Sequence, residues 1–348
     1  MDAPRPSRSR HEPVREPASV EQVMVGSEER ARPAPSMRRR QIREAAIQAA
    51  ITLVALTGIA AVVLIFVFVA REALPIFTSP EVREETDLAR MFLPQAWREG
   101  RAAFFSWQPV SDVPKYSMVP LFVGTLKVTA VAMLVSVPVG IAAAVFTSEF
   151  APRRLREVLK PTIELLAGIP SVVLGFFALM VMATVLQGAF GFTSRLNAIV
   201  AGLALALTVV PVIFTVSEDA LAAVPRSYRE ASLALGATRW ETSFKVVLPA
   251  AAPGVLAAVV LGFGRSIGET MIVLMASGNA AMTTWSLGDS VRTLPATIAA
   301  EMGEVVFGGA HYSVLFFIGV ELFLFTFVLN MLASLFVKRL VRRMAGTA

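Results

Sequence analysis

The stretch AAIQAAITLVALTGIAAVVLIFVFVA, residues 45–70, contains 26 residues and no charged side chain. A helix of roughly 20 apolar residues is enough to cross a bilayer core of about 30 Å. The stretch also lies too far from the start of the chain, and is too long, to be the apolar part of a cleaved secretory signal. We therefore predict that it remains in the protein as a membrane-spanning helix.

Five further apolar stretches follow the first one. The chain has 348 residues, of which 55% are hydrophobic, and this composition also indicates an integral membrane protein. We predict an all-α polytopic protein with six transmembrane helices. The predicted spans are about 45–70, 119–147, 158–187, 196–217, 250–276 and 312–337.

The distribution of Lys and Arg predicts the orientation, because cytoplasmic loops of membrane proteins carry an excess of these residues. With the N-terminus inside, the cytoplasmic segments hold 22 of the 32 basic residues and the outer segments hold 8. Both termini are therefore predicted to be cytoplasmic. The basic loops lie beside anionic lipid in this arrangement, so the charge does not require a nucleic-acid partner.

The N-terminal residues, 1–37, are rich in Pro, Arg, Glu and Ser and poor in apolar side chains. Such a segment buries too little apolar surface to offset the entropy lost on ordering. We predict a disordered cytoplasmic tail over residues 1–37.

Motifs of enzyme chemistry are missing from the sequence. It contains no cysteine, its histidines are His11 and His311, and no Gly-x-x-x-x-Gly-Lys-Ser/Thr pattern is found. We predict no catalytic residue, metal site or cofactor in this chain, so other chains would have to supply any energy from ATP. Close helix packing is the predicted role of Gly264 and Gly268, because small residues let helices approach each other in membranes.

The loop PRSYREASLALGATRWETSFKVVLP, residues 225–249, separates the fourth and fifth spans. Ser227 and Thr238 each precede a glutamate by three residues, which is the spacing of a capping box. Gly236 lies between them, where a left-handed residue can end a helix. We predict two short helices at an angle on the cytoplasmic side. From these features alone, an amphipathic connector on the lipid headgroups is an equally good interpretation.

The order of residues in this loop resembles the EAA signature of ABC importer permeases, E-A-A, x3, G, x9, I-x-L-P. The matching positions are Glu230, Ala231, Gly236, Leu248 and Pro249. Ser232 and Val246 depart mildly from the pattern. In that family the loop, placed here at 219–249, is a coupling helix that docks on an ATP-hydrolysing subunit. The resemblance implies the type I ABC importer permease fold over residues 38–348, with Glu230, Ala231 and Gly236 in the ATPase contact.

Three longer blocks are similar to the permease subunits of the phosphate (Pst) importer, more to the C-type than to the A-type. They are GTLKVTAVAMLVSVPVGIAAAVFTSEFAP (124–152), IELLAGIPSVVLGFFAL (163–179) and GFGRSIGETMIVLMASGN (262–279). The resemblance implies a bacterial inner (plasma) membrane protein that forms a heterodimer with a second permease subunit. It also implies two ATP-binding subunits, which hold ATP and magnesium, and an extracytoplasmic phosphate-binding protein.

Arg265 and Glu269 lie inside the fifth predicted span, where charged residues are expensive. Their spacing of four predicts that they share one helix face and reach each other. They could merely neutralise one another and fix the rotation of the helix. We favour a place in the substrate pathway, with the guanidinium binding phosphate oxygens and the carboxylate accepting a hydrogen bond from a protonated oxyanion.

Four other features carry less specific predictions. Lys127 either extends to the outer headgroups or guides an anion. Glu321 pairs with a basic residue on another helix or on a partner subunit, and Pro170 kinks the third span. The segment TLPATIAAEMGE, residues 293–304, forms either a short re-entrant helix or a helix on the surface.

We therefore predict a permease subunit, without enzymatic activity of its own, of an ATP-driven importer that translocates inorganic phosphate by alternating access. Two alternatives remain open. One is an importer of another oxyanion, such as molybdate, tungstate or sulfate. The other is a membrane component of phosphate sensing that reports to a sensor kinase, for which the N-terminal tail provides a contact.

Overall fold

Six helices in the described part of the chain are long and apolar enough to cross a membrane. The computed structural model describes residues 37–96 and 103–344, so the predicted disordered tail lies outside it except for Met37. The six spans are Arg40–Thr78, Val119–Phe150, Ser171–Phe190, Ala198–Ala222, Arg239–Gly268 and Ala310–Arg339. The prediction of an all-α protein with six spans is confirmed.

Contacts between residues divide the chain into two units, one up to Leu64 and the other from Ile65 onward. Helix α1 is Met37–Ala73, and three short helices follow it: α2 Pro75–Thr78, α3 Pro80–Glu85 and α4 Leu88–Phe92. An antiparallel pair of short strands comes next, β1 Trp107–Gln108 and β2 Lys115–Tyr116, with Trp107 opposite Tyr116.

The remaining elements form the helical part of the second unit. They are α5 Val119–Val145, α6 Arg153–Ala167, α7 Ser171–Phe177, α8 Ala183–Phe190, α9 Ala198–Ala222, α10 Arg226–Ala234, α11 Arg239–Thr242, α12 Leu248–Gly268, α13 Met271–Ala276, α14 Leu294–Glu301 and α15 Ala310–Met344. Three π-helical turns lengthen these helices: Phe146–Phe150 after α5, Ala178–Met182 between α7 and α8, and Ser243–Val247 between α11 and α12.

The third span is shorter than the predicted range of 158–187. None of the side chains of α6 is buried, and the chain is extended at Pro170 before α7 begins at Ser171. Proline has no N–H to donate and disfavours the helical conformation in the residue before it. Pro170 therefore separates two helices instead of kinking one, and the third span runs over Ser171–Phe190.

Small residues let α9 lie close to α5 and α12. A Cβ added to Gly202 of α9 would lie 2.6 Å from Val131 of α5, and one added to Gly262 of α12 would lie 2.8 Å from Ile213 of α9. The predicted role of Gly264 and Gly268 in close packing is met only in part: a Cβ added to Gly264 would lie 3.9 Å from Asn330 of α15, an ordinary contact, and one added to Gly268 would meet no atom within 4 Å. The two lie on a different face of α12 from the buried Gly262.

The two ends of this helical bundle differ. One end carries α6, α10 and α11 with their Lys and Arg residues, and we name it the basic side. The other end, the far side, carries β1, β2 and α14. The first half of α14 is buried, with Thr293 as its N-cap, so the interpretation of residues 293–304 as a surface helix is wrong. The helix packs against α5 and α15.

Candidate functional site

The fifth span is broken at Glu269, although the predicted range of 250–276 treats it as one helix. Helix α12 ends at Gly268, Glu269 is extended with φ −70° and ψ 128°, and α13 begins at Met271. Neither Glu269 nor Thr270 donates its amide to a backbone carbonyl in the described part of the chain. In membranes, non-helical backbone occurs where it is buried in protein or lines a water-filled cavity.

Arg265 and Glu269 do not pair, which corrects the prediction from their spacing. Helix α12 ends at Gly268, and the amide of Glu269 makes no hydrogen bond to the backbone oxygen of Arg265. The described residues contain no hydrogen bond or ion pair between the two side chains. Arg265 is exposed and Glu269 is half-buried. Mutual neutralisation therefore does not explain these two charges.

Arg265 lies on an open face of α12. Leu261, Arg265 and Gly268 follow one another at helical spacing and are all exposed, whereas Gly262 and Ser266 on another face are buried. A charged residue in a membrane helix faces the interior of a bundle or a water-filled cavity, because lipid does not solvate it. The open face of α12 therefore borders a polar path or a partner subunit.

Lys127, on α5, is buried and forms a hydrogen bond with the far-side loop between α13 and α14. Its ammonium Nζ donates to the backbone oxygen of Ser286 over 2.6 Å. The neighbouring Thr125 hydroxyl accepts from the amide of Leu294 at 3.0 Å. A Cβ on Gly124 would lie 2.1 Å from the backbone oxygen of Arg292. These contacts place the Lys127 ammonium inside the protein and not at the lipid headgroups.

The loop between the fourth and fifth spans matches the prediction in part. Helix α10 has Pro225 as its N-cap without a side-chain hydrogen bond, so the capping box predicted at Ser227 is wrong. The box predicted at Thr238 is present, and Gly236 is left-handed with φ 84°. The second predicted short helix, α11, is the start of the fifth span, because it continues through a π-helical turn into α12.

Helix α10 presents the residues of the EAA pattern to the outside. Glu230, Ala231 and Gly236 are exposed, and the neighbouring Leu235 is 90% exposed. The third residue of the pattern, Ser232, is buried, and its hydroxyl hydrogen-bonds to that of Thr242 at 2.9 Å. The departure from alanine at this position thus joins the two arms of the loop.

Two groups of ion pairs on the basic side were not predicted from the sequence. Arg229 of α10 binds Glu149, which lies in the π-helical turn after α5, at 2.7 Å. Lys160 of α6 binds Glu218 and Asp219 of α9 at 2.7 and 2.9 Å. Hydrogen bonds with these carboxylates raise the pKa of both Arg229 and Lys160. The partners are 58 to 80 residues apart, so no local pattern connects them.

A third charged group on the far side is centred on Glu301. Its carboxylate accepts hydrogen bonds from Trp107, Arg292 and His311 at 3.1, 2.6 and 3.2 Å. Burial opposes ionisation of Glu301, but the hydrogen bonds from His311 and Trp107 and the charge of Arg292 outweigh it and lower the pKa. This group joins the strand pair to α14 and to the start of α15.

Glu321 has no partner in the described part of the chain. One of its carboxylate oxygens, Oε2, is buried and makes no hydrogen bond. The prediction that it pairs with a basic residue on a neighbouring helix is therefore not met within this chain, and a partner subunit stays as the other predicted source.

The six spans, the break beside Arg265 and the exposed EAA loop are features of the permease subunits of importers, and Arg265 has no partner among the described residues. Residues 136–346 match the model of the family described as binding-protein-dependent transport system inner membrane component. The chain belongs to this family, and it is a multi-pass inner membrane protein.

Individual relatives extend the comparison beyond the family model. The chain is 40% identical over 228 residues to the probable ABC transporter permease protein YqgH of Bacillus subtilis, covering 65% of this chain and 74% of the relative. It is 35% identical over 257 residues to the phosphate transport system permease protein PstC of Mesorhizobium japonicum, covering 68% and 78%.

One solved structure supports the fold. It is that of a bacterial ABC transporter involved in the import of the acidic polysaccharide alginate, which superposes with a TM-score of 0.54 at 14% identity. The superposition covers 87% of this chain and 99% of the other. At this level of identity the likeness concerns the fold alone.

Proposed function

We propose that this chain is a C-type permease subunit that moves inorganic phosphate into a bacterial cell by alternating access. The observation that carries this proposal is Arg265, an exposed arginine without a partner among the described residues, next to the break in the fifth span. The names of the PstC relatives, which are 35% identical or close to it, support the choice of phosphate.

Arg265 supplies the anion contact in this proposal. A guanidinium offers a planar fork of donors that matches two oxygens of a phosphate and stays charged at any relevant pH. Because its side chain has no hydrogen-bond partner in the described chain, these donors are available to an ion. Lys127 contributes indirectly, by holding the far-side loop over α5 through Ser286.

Glu269 supplies discrimination. A carboxylate accepts a hydrogen bond from an oxyanion that carries a proton and repels one that carries none. Phosphate keeps a proton near neutral pH and sulfate does not, so Glu269 favours phosphate. Its position at the C-terminal end of α12, without an ion pair to Arg265, supports this role.

Helix α10 links this path to the energy source. Exposed Glu230, Ala231 and Gly236 dock on an ATP-hydrolysing partner. The excess of Lys and Arg assigns the basic side, and the two ends of the chain, to the cytoplasm. Two ATP-binding subunits, which hold ATP and magnesium, a second permease subunit and an extracytoplasmic binding protein complete the importer. This chain acts as the transport subunit and not as an enzyme.

Uptake of labelled phosphate by the assembled importer in proteoliposomes tests the substrate. Unlabelled phosphate should compete at low concentration, whereas sulfate and molybdate should compete only in large excess. Absence of phosphate uptake, together with uptake of labelled molybdate or sulfate by the same importer, would assign the chain to another oxyanion. Normal phosphate uptake after deletion of residues 1–37, with an altered sensor response, would assign a signalling role to the tail alone.

A further inference from the structure

The basic-side ends of the second and fourth spans are joined by a single arginine of α10. Arg229 donates to both carboxylate oxygens of Glu149, through Nη2 at 2.7 Å and Nε at 3.1 Å. It also donates to the backbone oxygens of Leu221 and Val224 at 2.9 and 2.7 Å. A bidentate contact of this kind fixes orientation as well as distance.

Each partner of Arg229 explains part of this arrangement. Leu221 lies in the last turn of α9 and Val224 lies two residues beyond its end, where the helix dipole favours a cation. Glu149 is only 8% exposed and lies in a π-helical turn, a feature often found at functional positions. A buried carboxylate requires a partner, and Arg229 provides it.

The second arm of this loop, which is the start of the fifth span, also contacts the end of the second span. Trp240, at the start of the fifth span, lies with its ring 5.9 Å from that of Phe150, the residue after Glu149. The Ser232 and Thr242 hydroxyls join the two arms to each other. Arg156 of α6 donates to the backbone oxygens of Thr147 and Ser148. The end of the second span is therefore held from several sides.

We propose that Arg229 and Glu149 are positioning residues that make α10 and the ends of the second and fourth spans move as one body. This inference rests on the proposed function, since it concerns how a movement of α10 reaches the path. Without the pair, α10 would shift on its ATPase partner without moving the spans. ATP would then be hydrolysed without a matching transport of ions.

A cross-linking experiment tests this pair. The natural chain contains no cysteine, so in the double variant Glu149→Cys/Arg229→Cys a short bifunctional thiol reagent can react within this chain only at these positions. In the complete importer, the variant should hydrolyse about tenfold more ATP per phosphate transported than the unmodified protein does. The cross-link should bring the ratio of ATP hydrolysed to phosphate transported back to within about twofold of normal, because a covalent link then takes the place of the ion pair.

Arg226→Cys, treated with the same reagent, is the matched control, because Arg226 is exposed on the same helix and has no partner in the described chain. It should keep the normal ratio. A cross-link that stops transport would show that the two residues separate during the cycle, and would overturn the inference. A normal ratio in the double variant before cross-linking would overturn it as well.

Co-purification of the ATP-binding subunits separates this role from a merely structural one. The double variant should retain them in normal amount, since α10 keeps its exposed face, and loss of the subunits would contradict a positioning role. If the unmodified importer takes up another oxyanion and no phosphate, the ratio of ATP hydrolysed to ion transported is measured with that ion. Absence of phosphate uptake in the unmodified importer therefore counts against the proposed function and not against the pair.

Discussion

Two pairs of arginine and glutamate in this chain differ, because one forms an ion pair and the other does not. Arg229 and Glu149, 80 residues apart, meet on the basic side with side chains that are 22% and 8% exposed. Arg265 and Glu269, only four residues apart at the end of α12, form no ion pair or hydrogen bond with each other. Nearness in sequence therefore does not indicate which charges neutralise each other.

The difference assigns different work to the two pairs. A charge that is buried with its partner stabilises one arrangement of the chain, and removing either partner leaves an uncompensated charge. A charge that remains open inside a membrane span is expensive unless water, an ion or another subunit meets it. We name Arg229 and Glu149 the closed pair, which holds parts of the subunit together. Arg265 and Glu269 are the open pair, which we assign to the path of the ion.

Breaking the closed pair should have the largest effect on stability. Arg229→Gln leaves the Glu149 carboxylate buried with a weaker partner, and we expect a loss of about 3 kcal/mol in the free energy of unfolding. The measurement is the thermal unfolding midpoint of the purified subunit in detergent. Arg226→Gln, at an exposed position on the same helix, is the control and should leave the midpoint unchanged. Equal midpoints for both variants would contradict the assignment.

Replacing Arg265 of the open pair should lower transport and leave the stability of the protein unchanged. Charge-assisted hydrogen bonds contribute about 1.5–3 kcal/mol each, so Arg265→Gln should lower phosphate uptake by about 100-fold. Arg265→Lys should retain part of the uptake, because it keeps the charge but loses the planar fork. Uptake is compared with that of Arg154→Gln, an exposed arginine on α6. A fall in the unfolding midpoint instead of in uptake would place Arg265 with the structural charges.

The second member of the open pair should control selectivity. Glu269→Gln keeps the size of the side chain but removes the charge that repels an unprotonated oxyanion. We expect the preference for phosphate over sulfate to fall by about tenfold, roughly the contribution of one hydrogen bond. Competition between the two ions in uptake measures this ratio. An unchanged ratio would remove Glu269 from the path.

The smallest expected effect concerns the joint within the loop. Ser232→Ala restores the alanine of the EAA pattern but leaves the Thr242 hydroxyl without its partner. We expect a loss of about 1 kcal/mol in the free energy of unfolding. The double variant Ser232→Ala/Thr242→Val should lose no more than the single one, because both hydroxyls are then absent. Additive losses would show that the two residues act independently.

The sequence predicted what depends on local patterns. Apolar runs gave the number of spans, a serine- or threonine-to-glutamate spacing gave the capping box at Thr238, and Gly236 ended α10 as expected. The same reasoning failed at Ser227, where Pro225 takes the N-cap position and the helix begins before the hydroxyl can cap it.

The features that were missed depend on contacts between distant segments. No residue near Glu269 has the effect that Pro170 has on the third span, so the break in the fifth span was not predicted. The segment after the break, α13, packs on α7, which is distant in sequence: a Cβ on Gly175 would lie 3.2 Å from the backbone of Ile272. The partner of Glu149 lies 80 residues further along the chain, and only the fold brings them together.

The most direct test of the pathway uses Gly268, which follows Arg265 on the open face of α12 and has no atom within 4 Å of an added Cβ. Because the chain contains no cysteine, Gly268→Cys provides a single thiol and leaves Arg265 in place. In the assembled importer, a membrane-impermeant charged thiol reagent should modify it, and phosphate should slow the reaction. Val54→Cys, in the charge-free stretch of α1, should resist the same reagent. Labelling of Gly268→Cys only by an apolar reagent, at a rate that phosphate does not change, would contradict the account.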